Sequence, residues 1–593
     1  MRYLLPTIAF GIVILSACST LIQTPNEKAK PETSSSVEQA HIAPPSYSSF
    51  ATESLYSLIL AELAAGRRQY DVTLSNYIEE AKNTGDLGVI TRAARLSQYF
   101  RKHDETLEMS KLWLAQKPND IEANAMIASA YIEKREPLQA LTYAEKILSI
   151  ISRAQSPEAN INVDANKSAA ITETIANYSR ASGTLTKLTL VESYINLIKR
   201  YPNYPAIKVG LSILYESQQD TAAAYQMIVQ ALAQDSNYLP AVMQEIRLLQ
   251  ASKQNEKAIE KIKARLADQP DNNRLRLLYA RMLTQTDINA AYDEFSLLAQ
   301  QSPQHLDIQF SKALIALELK KTDEAKLILE SLLKKNYRAD TVNFYLGSVA
   351  ELKNNDKQAL LYYLTVNAGE DYVKAHIRAA RIMAKQGNLQ QAQNHFQQLR
   401  EKSPNDRPEL YAGEAEVLHQ LGQTKLAIGV LSQAINELPD DTNLRYNRSS
   451  LYEQTNQLDL MENDLRHALN VEPESASTLN ALGYFLTSRT KRHQEAYTLI
   501  KKAIGLKPND PAIMDSMGWV LFNLGRNEEA IKYLRKAFEL FPEPEVAAHL
   551  GEALWVNGKK QEARVIWNNN LKDNPNDSRI IDTMERLQVS PSS

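Results

Sequence analysis

The chain has 593 residues, one cysteine and a net charge of −3, from 67 Lys and Arg against 70 Asp and Glu. This charge excludes wholesale binding to phosphate backbones, and a single cysteine excludes a disulfide framework or a cysteine-rich zinc site. Glycine makes up only 18 of the 593 residues, which disfavours sheet-rich folds with many glycine turns. The composition predicts a long, mostly helical chain, and the usual ~150 residues per domain would give about four domains.

The start of the chain, 1–17, predicts a lipoprotein signal peptide. Leu4 to Leu15 form a mostly apolar run after a positive residue, too short to span a bilayer core of about 30 Å. The run leads into Leu15-Ser16-Ala17-Cys18, which resembles the bacterial lipobox, where the signal is cut before a cysteine that is then acylated. The alternative is an ordinary signal peptide with a chance cysteine. The position of the chain's only cysteine favours the lipobox.

Cys18 is therefore the predicted site of lipidation. Ser19 follows it, and in Gram-negative lipoproteins an aspartate there tends to retain the protein in the inner membrane, so Ser19 favours the outer membrane. Residues 18–50 predict a lipidated N-terminus and disordered tether, because this stretch is rich in Ser, Pro, Thr and Glu and cannot bury enough apolar surface to become ordered. About 30 such residues reach roughly 30 Å. A functional binding tail is the alternative for this stretch.

The rest of the chain repeats with a period of about 34 residues. Prolines fall near multiples of this period at positions 202, 270, 303, 404, 439, 473, 508, 542 and 575. Ten alanines also follow it, with Met461 in the one remaining place: Ala224, Ala258, Ala291, Ala325, Ala359, Ala392, Ala427, Ala496, Ala530 and Ala563. Such self-similarity predicts a helical repeat array instead of separate compact domains.

The unit from Asp515 to Ala537 shows the pattern most clearly and resembles the tetratricopeptide repeat (TPR), a helix–turn–helix. Gly518 stands where helix A of the repeat meets helix B, and Gly525 ends helix A in a turn that favours glycine. Ala530 lets helix B approach its neighbours, and Pro542 ends helix B because it has no amide proton. The resemblance implies an all-α fold, a right-handed superhelical solenoid of stacked repeats with a concave groove.

The register predicts about fifteen units and the following division of the chain. A signal peptide occupies 1–17, the lipidated N-terminus and tether 18–50, degenerate N-terminal repeats 51–201, the TPR solenoid 202–575, and a capping helix and tail 576–593. The stretch from Pro118 to Pro202 exceeds two repeats by about 16 residues. It predicts a loop inserted near 152–167.

In the repeat family, the fifth, ninth and twelfth positions of helix A face the groove. Counted with Gly483, Gly518 and Gly551 as eighth positions, the predicted partner-binding residues are Asn480, Tyr484, Asp515, Trp519, Phe522 and Trp555. Aromatic rings beside an amide and a carboxylate are suited to holding a peptide through ring contacts and hydrogen bonds to its amides. The alternative is that Trp519 and Tyr484 only pack between adjacent repeats.

The sequence predicts neither a catalytic site nor a metal or cofactor site. The nine histidines are spread over different repeats without an H-E-x-x-H motif, and neither a G-x-S-x-G nor a G-x-x-x-x-G-K-[ST] motif occurs. We therefore expect a binding protein, not an enzyme, with no cofactor, no nucleic acid and no small-molecule substrate.

The segment from Leu479 to Leu571 resembles the large TPR lipoproteins of beta- and gamma-proteobacteria, through Asn480-Ala-Leu-Gly-Tyr484, Asp510-Pro-Ala-Ile-Met-Asp-Ser-Met-Gly-Trp519 and Pro542-Glu-Pro-Glu-Val-Ala-Ala-His-Leu-Gly551. One kind is the outer-membrane adaptor that brings peptidoglycan hydrolases to a periplasmic carboxyl-terminal processing protease. The resemblance implies an outer-membrane location facing the periplasm, with these proteins as partners. The rest of the chain agrees with this group in period alone.

Two other functions stay open at this point. One is an assembly factor for an outer-membrane machine of the pilus-secretin or barrel-assembly type, although such lipoproteins are usually much shorter. The other is an exopolysaccharide export component, which commonly pairs repeats with a β-barrel. The sequence has no run of alternating strands of ~10 residues, so this second alternative is disfavoured.

Overall fold

The structure, a computed structural model, describes residues 50–154 and 169–589. The predicted signal peptide, Cys18, the tether up to Ser49 and residues 155–167 of the predicted insertion therefore lie outside the described residues. The two described ranges contain 31 α-helices, two 3₁₀ helices and no strand. This confirms the predicted all-α repeat fold. None of the described helices is long and apolar enough to cross a membrane.

The described residues up to Ala241 form one compact unit, in which successive helices pack against each other. Its helices are α1 (Thr52–Gly66), α2 (Tyr70–Thr84), α3 (Leu87–Tyr99), α4 (His103–Gln116), α5 (Ile121–Glu133), α6 (Pro137–Ala154), α7 (Ile171–Tyr178), α8 (Thr184–Arg200), α9 (Pro205–Ser217) and α10 (Thr221–Gln234), with a 3₁₀ helix at Ser179–Ala181. Residues 152–154 of the predicted insertion are thus the end of α6.

The residues from Val242 form a second compact unit, and the boundary falls in the first turn of α11. The helices from there on are α11 (Leu239–Ala251), α12 (Asn255–Asp268), α13 (Asn273–Leu283), α14 (Ile288–Gln301), α15 (Leu306–Glu318), α16 (Thr322–Lys334), α17 (Ala339–Leu352), α18 (Asp356–Leu364), α19 (Tyr372–Lys385), α20 (Leu389–Lys402), α21 (Arg407–Gln420), α22 (Thr424–Glu437), α23 (Thr442–Gln454), α24 (Leu458–Val471), α25 (Ala476–Arg489), α26 (His493–Leu506), α27 (Pro511–Asn523), α28 (Asn527–Leu540), α29 (Pro544–Val556), α30 (Lys560–Asp573) and α31 (Ser578–Arg586). A 3₁₀ helix at Pro404–Asp406 precedes α21.

The helix pair α27 and α28 shows how the sequence sets the ends of a repeat. The Asp510 carboxylate accepts hydrogen bonds from the first backbone N–H groups of α27, and Pro511 occupies the first turn, where its missing N–H costs nothing. After α27 the chain turns at Gly525, whose φ of +76° is left-handed. The second helix ends at Leu540, two residues before Pro542.

Helices A and B of a repeat meet at a position where a side chain has no room. A Cβ atom added at Gly518 would lie 2.5 Å from Leu534 Cγ and 3.1 Å from the Ala530 carbonyl oxygen. The same crowding recurs one repeat later, where a Cβ atom at Gly551 would lie 2.1 Å from Nε1 of the fully buried Trp567. Glycine at this position therefore lets the two helices close onto each other.

A continuous apolar core joins the last repeats of the second unit, from Tyr452 to Val589. The last described helix, α31, closes it by burying Ile580 and Met584. Its outer face exposes polar residues such as Asp582 and Glu585. Repeat arrays need such polar terminal helices, because an end repeat has no neighbour to cover its apolar face.

The glycine contact gives a matched pair of substitutions. We expect Gly551→Ala to destabilise the C-terminal repeats by about 1–3 kcal/mol, because the added methyl group overpacks against the Trp567 indole. Gly429→Ala is the control, since Gly429 lies in α22 with no atom within 4 Å of an added Cβ, and there alanine should stabilise by about 0.5–1 kcal/mol. Urea unfolding followed by tryptophan fluorescence measures both changes. Equal stability of the two variants would contradict this account of the helix contact.

Candidate protein-binding site

The six predicted partner-binding residues lie on the A helices of three successive repeats, α25, α27 and α29. They are Asn480 and Tyr484 on α25, Asp515, Trp519 and Phe522 on α27, and Trp555 on α29. The structure links five of the six to one surface, which we call the C-terminal A-helix surface. Trp555 instead packs against Trp567 of α30, with ring centroids 6.0 Å apart, and beneath the cations of Lys560 and Arg564.

The centre of this surface is His549 on α29, which the sequence analysis did not assign to the site. Its Nδ1–H donates to the Asp515 carboxylate at 2.9 Å, and both side chains are buried. The Trp519 ring stacks on the imidazole at 4.1 Å between centroids and 17° between planes, and the Phe522 ring stacks on Trp519 at 5.3 Å between centroids. His549 follows Asp515 by one full repeat period, which is the sequence signal that could have identified the pair.

The charges around His549 favour its protonated form. Burial alone lowers the pKa of an imidazole, but the carboxylates of Asp515, Glu545 and Glu552 together outweigh burial and raise the pKa of His549 above its ordinary value. The imidazolium then lies against the electron-rich face of Trp519, where a cation is further stabilised. The Asp515–His549 pair therefore ties α27 to α29 electrostatically.

Two further polar contacts connect the A helices. The Tyr484 hydroxyl donates to Glu545, so α25 is linked to α29 across the intervening repeat. Burial and the Glu545 charge raise the pKa of Tyr484 well above its ordinary value, so the hydroxyl keeps its proton. Glu552 accepts two hydrogen bonds from the Arg586 guanidinium at 2.7 and 2.6 Å, which ties α29 to α31. The polar floor of the surface is thus internally paired.

Asn480 differs from these paired groups. Its Oδ1 atom is buried and has no hydrogen-bond partner among the described residues. Leaving a buried acceptor unsatisfied costs about 1–3 kcal/mol, so such an atom marks a place where an external donor gains energy. The Asn480 oxygen is therefore the unpaired acceptor of this surface that a ligand N–H could satisfy.

The contacts of the aromatic residues agree with both roles considered for them, packing between repeats and binding a peptide. Trp519 does pack between adjacent repeats, through His549, yet Tyr484, Trp519 and Phe522 all remain partly exposed. Partly exposed rings over a fixed, paired floor offer flat apolar area to a peptide, and Asn480 offers an acceptor to its amide. Partner binding at these residues stays a prediction.

A second histidine cluster lies elsewhere in the second unit and was also missed, because the spacing of its members does not match the repeat period. His376 of α19 and His395 of α20 place Nδ1 and Nε2 3.0 Å apart. The Val366 carbonyl can only accept, so His376 Nε2–H donates to it at 3.0 Å, and His376 Nδ1 accepts from His395. Burial lowers the pKa of both rings, that of His395 to about 4. No group of three or more metal-ligating side chains occurs in the described ranges.

Comparison with known proteins supports the repeat assignment. Sequence profiles of the tetratricopeptide repeat match residues 310–370, 377–442 and 516–578, and another such profile matches 442–475. A TPR repeat-containing protein of Pseudomonas aeruginosa is 35% identical over 541 residues, 91% of this chain and 89% of that protein. Bacteriophage adsorption protein A of Escherichia coli is 34% identical over 99 residues, 17% of this chain and 10% of that protein. A thermophilic TPR protein of Thermus thermophilus aligns in its crystal structure with 30% of this chain and 99% of its own, at 19% identity and a TM-score of 0.27.

The two histidine sites should change the stability of the fold with pH in opposite directions. The raised pKa of His549 means that its pair with Asp515 stabilises the fold fully below about pH 6.5, and that this stabilisation is lost as the pH rises through the folded-state pKa. The lowered pKa values of His376 and His395 mean that their pair loses stability as the pH falls from about 6.5 towards 4. Thermal unfolding of His549→Gln and His395→Gln across this range measures both effects. Parallel pH profiles of the two variants and the parent would refute the assignment.

Proposed function

Because this chain belongs to the tetratricopeptide-repeat family, we propose that it is a scaffold that binds segments of partner proteins on the C-terminal A-helix surface. TPR proteins are generally non-catalytic and act through protein–protein interaction. The single observation that carries the proposal is the buried, unpartnered Asn480 oxygen, one helical turn before the partly exposed ring of Tyr484 and on the A helix next to that of the partly exposed Trp519. A peptide amide placed over these rings donates to that oxygen and removes its cost.

The form of the bound segment follows from the surface. Aromatic rings contact an extended chain without demanding one side chain, whereas the acceptor of Asn480 requires a backbone or side-chain N–H nearby. Asp515, His549 and Glu552 already have partners, so they shape the floor and leave little free charge to select a strongly charged peptide. We propose that the ligand is an extended, largely uncharged segment with an apolar or aromatic residue.

We propose further that the scaffold is anchored by acylated Cys18 in the outer membrane and faces the periplasm. Its lipobox and tether support this location. The resemblance of Leu479–Leu571 to protease adaptors supports a carboxyl-terminal processing protease and peptidoglycan hydrolases as the two partners. Holding both on one anchored chain raises the concentration of each near the other, so that the hydrolase is degraded without a tight direct contact between enzyme and substrate.

Substitutions on the surface separate binding from folding. We expect Asn480→Leu to weaken partner binding while the fold stays as stable or gains stability, because a buried unsatisfied oxygen is removed. Trp519→Ala should weaken binding by about 10-fold or more, as central aromatic residues of interfaces do. Phe541→Ala is the control, since Phe541 is an exposed aromatic residue of α28's C-terminal cap, away from the proposed site. Affinity for a captured partner is measured by calorimetry, and equal affinities of all three variants would refute the site.

Deletion of the gene for this chain tests the adaptor role. A deletion strain should accumulate one or more peptidoglycan hydrolases, because the protease no longer meets them, and quantitative immunoblotting or proteomics of the periplasm measures this. Complementation with a Cys18→Ala chain should restore their levels only in part, since the unanchored scaffold is diluted through the periplasm. Unchanged levels of every cell-wall hydrolase would refute the adaptor role. Secretin or barrel-assembly proteins among the co-purified partners would instead support the assembly-factor alternative.

A further inference from the structure

The first described helix exposes an apolar stripe that no described residue covers. Along α1, the side chains of Leu55, Tyr56, Ile59, Leu60 and Leu63 are 49%, 69%, 52%, 38% and 58% exposed. Their spacing places all five on one side of the helix, opposite the buried Ala61 and Ala64. Contiguous apolar surface of this kind marks an interaction site in a folded protein.

The last described helix, α31, shows no such apolar stripe. The terminal helix α31 buries its apolar residues and turns Arg579, Asp582 and Glu585 outward, as the end of a repeat array requires. In α1 the outward positions carry leucine, isoleucine and tyrosine instead. The surface of α1 is therefore built for contact with something outside the described chain.

Exposed cations flank the stripe. Arg67 and Arg68 follow α1 directly, and Arg101 and Lys102 follow α3 at the same place in the next repeat. The two turns are in contact, because the rings of Tyr70 and Phe100 lie 4.9 Å apart. Arg68 and Arg101 both have positive φ, +61° and +57°, a conformation in which glycine costs less.

The acidic residues near the stripe are largely offset. Glu62 of α1 accepts from the Tyr77 hydroxyl at 2.5 Å and from Arg92 at 3.4 Å. Asp71 and Glu105 lie in the first turns of α2 and α4, where the positive end of the helix dipole compensates a carboxylate. Asp86, which lines the same cavity as Ile59 and Leu63, caps α3 by accepting from the Val89 N–H. Glu53 lies at the other end of α1, so the flank with its two arginine-containing turns is positive.

Exposed aromatic rings complete the surface. Tyr70 and Tyr99 are 45% and 79% exposed and both contact Phe100, beside the four cations. An apolar stripe with basic and aromatic residues at its border is the composition of helices that lie in a membrane interface, where tyrosine rings and arginines occupy the headgroup level. Anionic phospholipid headgroups match this border in charge.

The position of the stripe along the chain points to the same occupant. The described chain begins at Phe50 and α1 begins two residues later at Thr52, just after the lipidated N-terminus and tether, residues 18–50, of the proposed function. A tether with a reach of roughly 30 Å keeps this helix at bilayer distance. We infer that the α1 stripe and its basic, aromatic border lie in the interface of an anionic phospholipid bilayer. This inference rests on the lipid anchor proposed above, and it gives the anchored scaffold a second contact with the membrane.

The test uses the full mature lipoprotein in vesicles of phosphatidylethanolamine and phosphatidylglycerol. Acylated Cys18 has no free thiol, so Ile59→Cys provides a single site for a bimane label, and Leu327→Cys on α16, 69% exposed, is the matched control. Brominated phospholipids should quench the label at position 59 roughly twofold or more over that at 327, as expected for a residue buried in the acyl boundary. Replacing phosphatidylglycerol by phosphatidylcholine should reduce this difference.

Equal quenching at the two positions would overturn the inference. Protection of the label at position 59 from both brominated lipid and aqueous iodide would also overturn it, because the stripe would then be covered by protein, either a second copy or a partner. An absent lipid anchor can be distinguished from an absent bilayer contact of α1. If Cys18 were not acylated, thiol reagents would label it in the parent protein. Sedimentation of that unacylated parent with the anionic vesicles, lost on Leu63→Glu, would still support the surface, and absence of sedimentation would refute it.

Discussion

The close approach of helix A to helix B within each repeat is the constraint on which the rest of the structure depends. At Gly518 and Gly551 the space for a side chain is already filled by Leu534 and Trp567 of the facing helix. A helix pair that closes in this way still exposes an apolar side, so it is stable only when another pair stacks on it. This is why the core of the last repeats continues from Tyr452 to Val589 without interruption.

Stacking at this distance also brings the A helices near enough to share polar side chains. Asp515 meets His549 from the next repeat, and Tyr484 reaches Glu545 two repeats on. Each of these groups is costly to bury alone, and each is satisfied only while the repeats keep their spacing. The paired polar groups of the C-terminal A-helix surface therefore form only while the repeats stay stacked, and they hold the neighbouring aromatic rings in place.

The periodic part of this organisation could be predicted from the sequence, because steric roles repeat. The small residue at Gly518, the turn at Gly525 and the end of helix B before Pro542 each depend on one residue and its backbone. The pairing of Asp515 with His549 follows the same period, since the two residues are one repeat apart, but the partner of His376 could not be predicted in this way. A contact such as that between His376 and His395 depends on how two helices are rotated, which the repeat period does not specify. The exposure of the α1 stripe likewise depends on what lies beside it, and an apolar helix face looks the same in sequence whether it is covered or free.

A floor whose charges are already paired has a consequence for how such a scaffold recognises proteins. Asp515, His549 and Glu552 already have partners, so in the proposed complex the binding energy would come from the area of the aromatic rings and from the single acceptor of Asn480. Few directional contacts give modest affinity and broad selection among extended segments. Affinity of that order is sufficient for an adaptor only if its partners are held together by other means. The proposed lipid anchor and the inferred contact of α1 with the bilayer would supply this, because they would restrict the scaffold to one surface and raise the local concentration of whatever it binds.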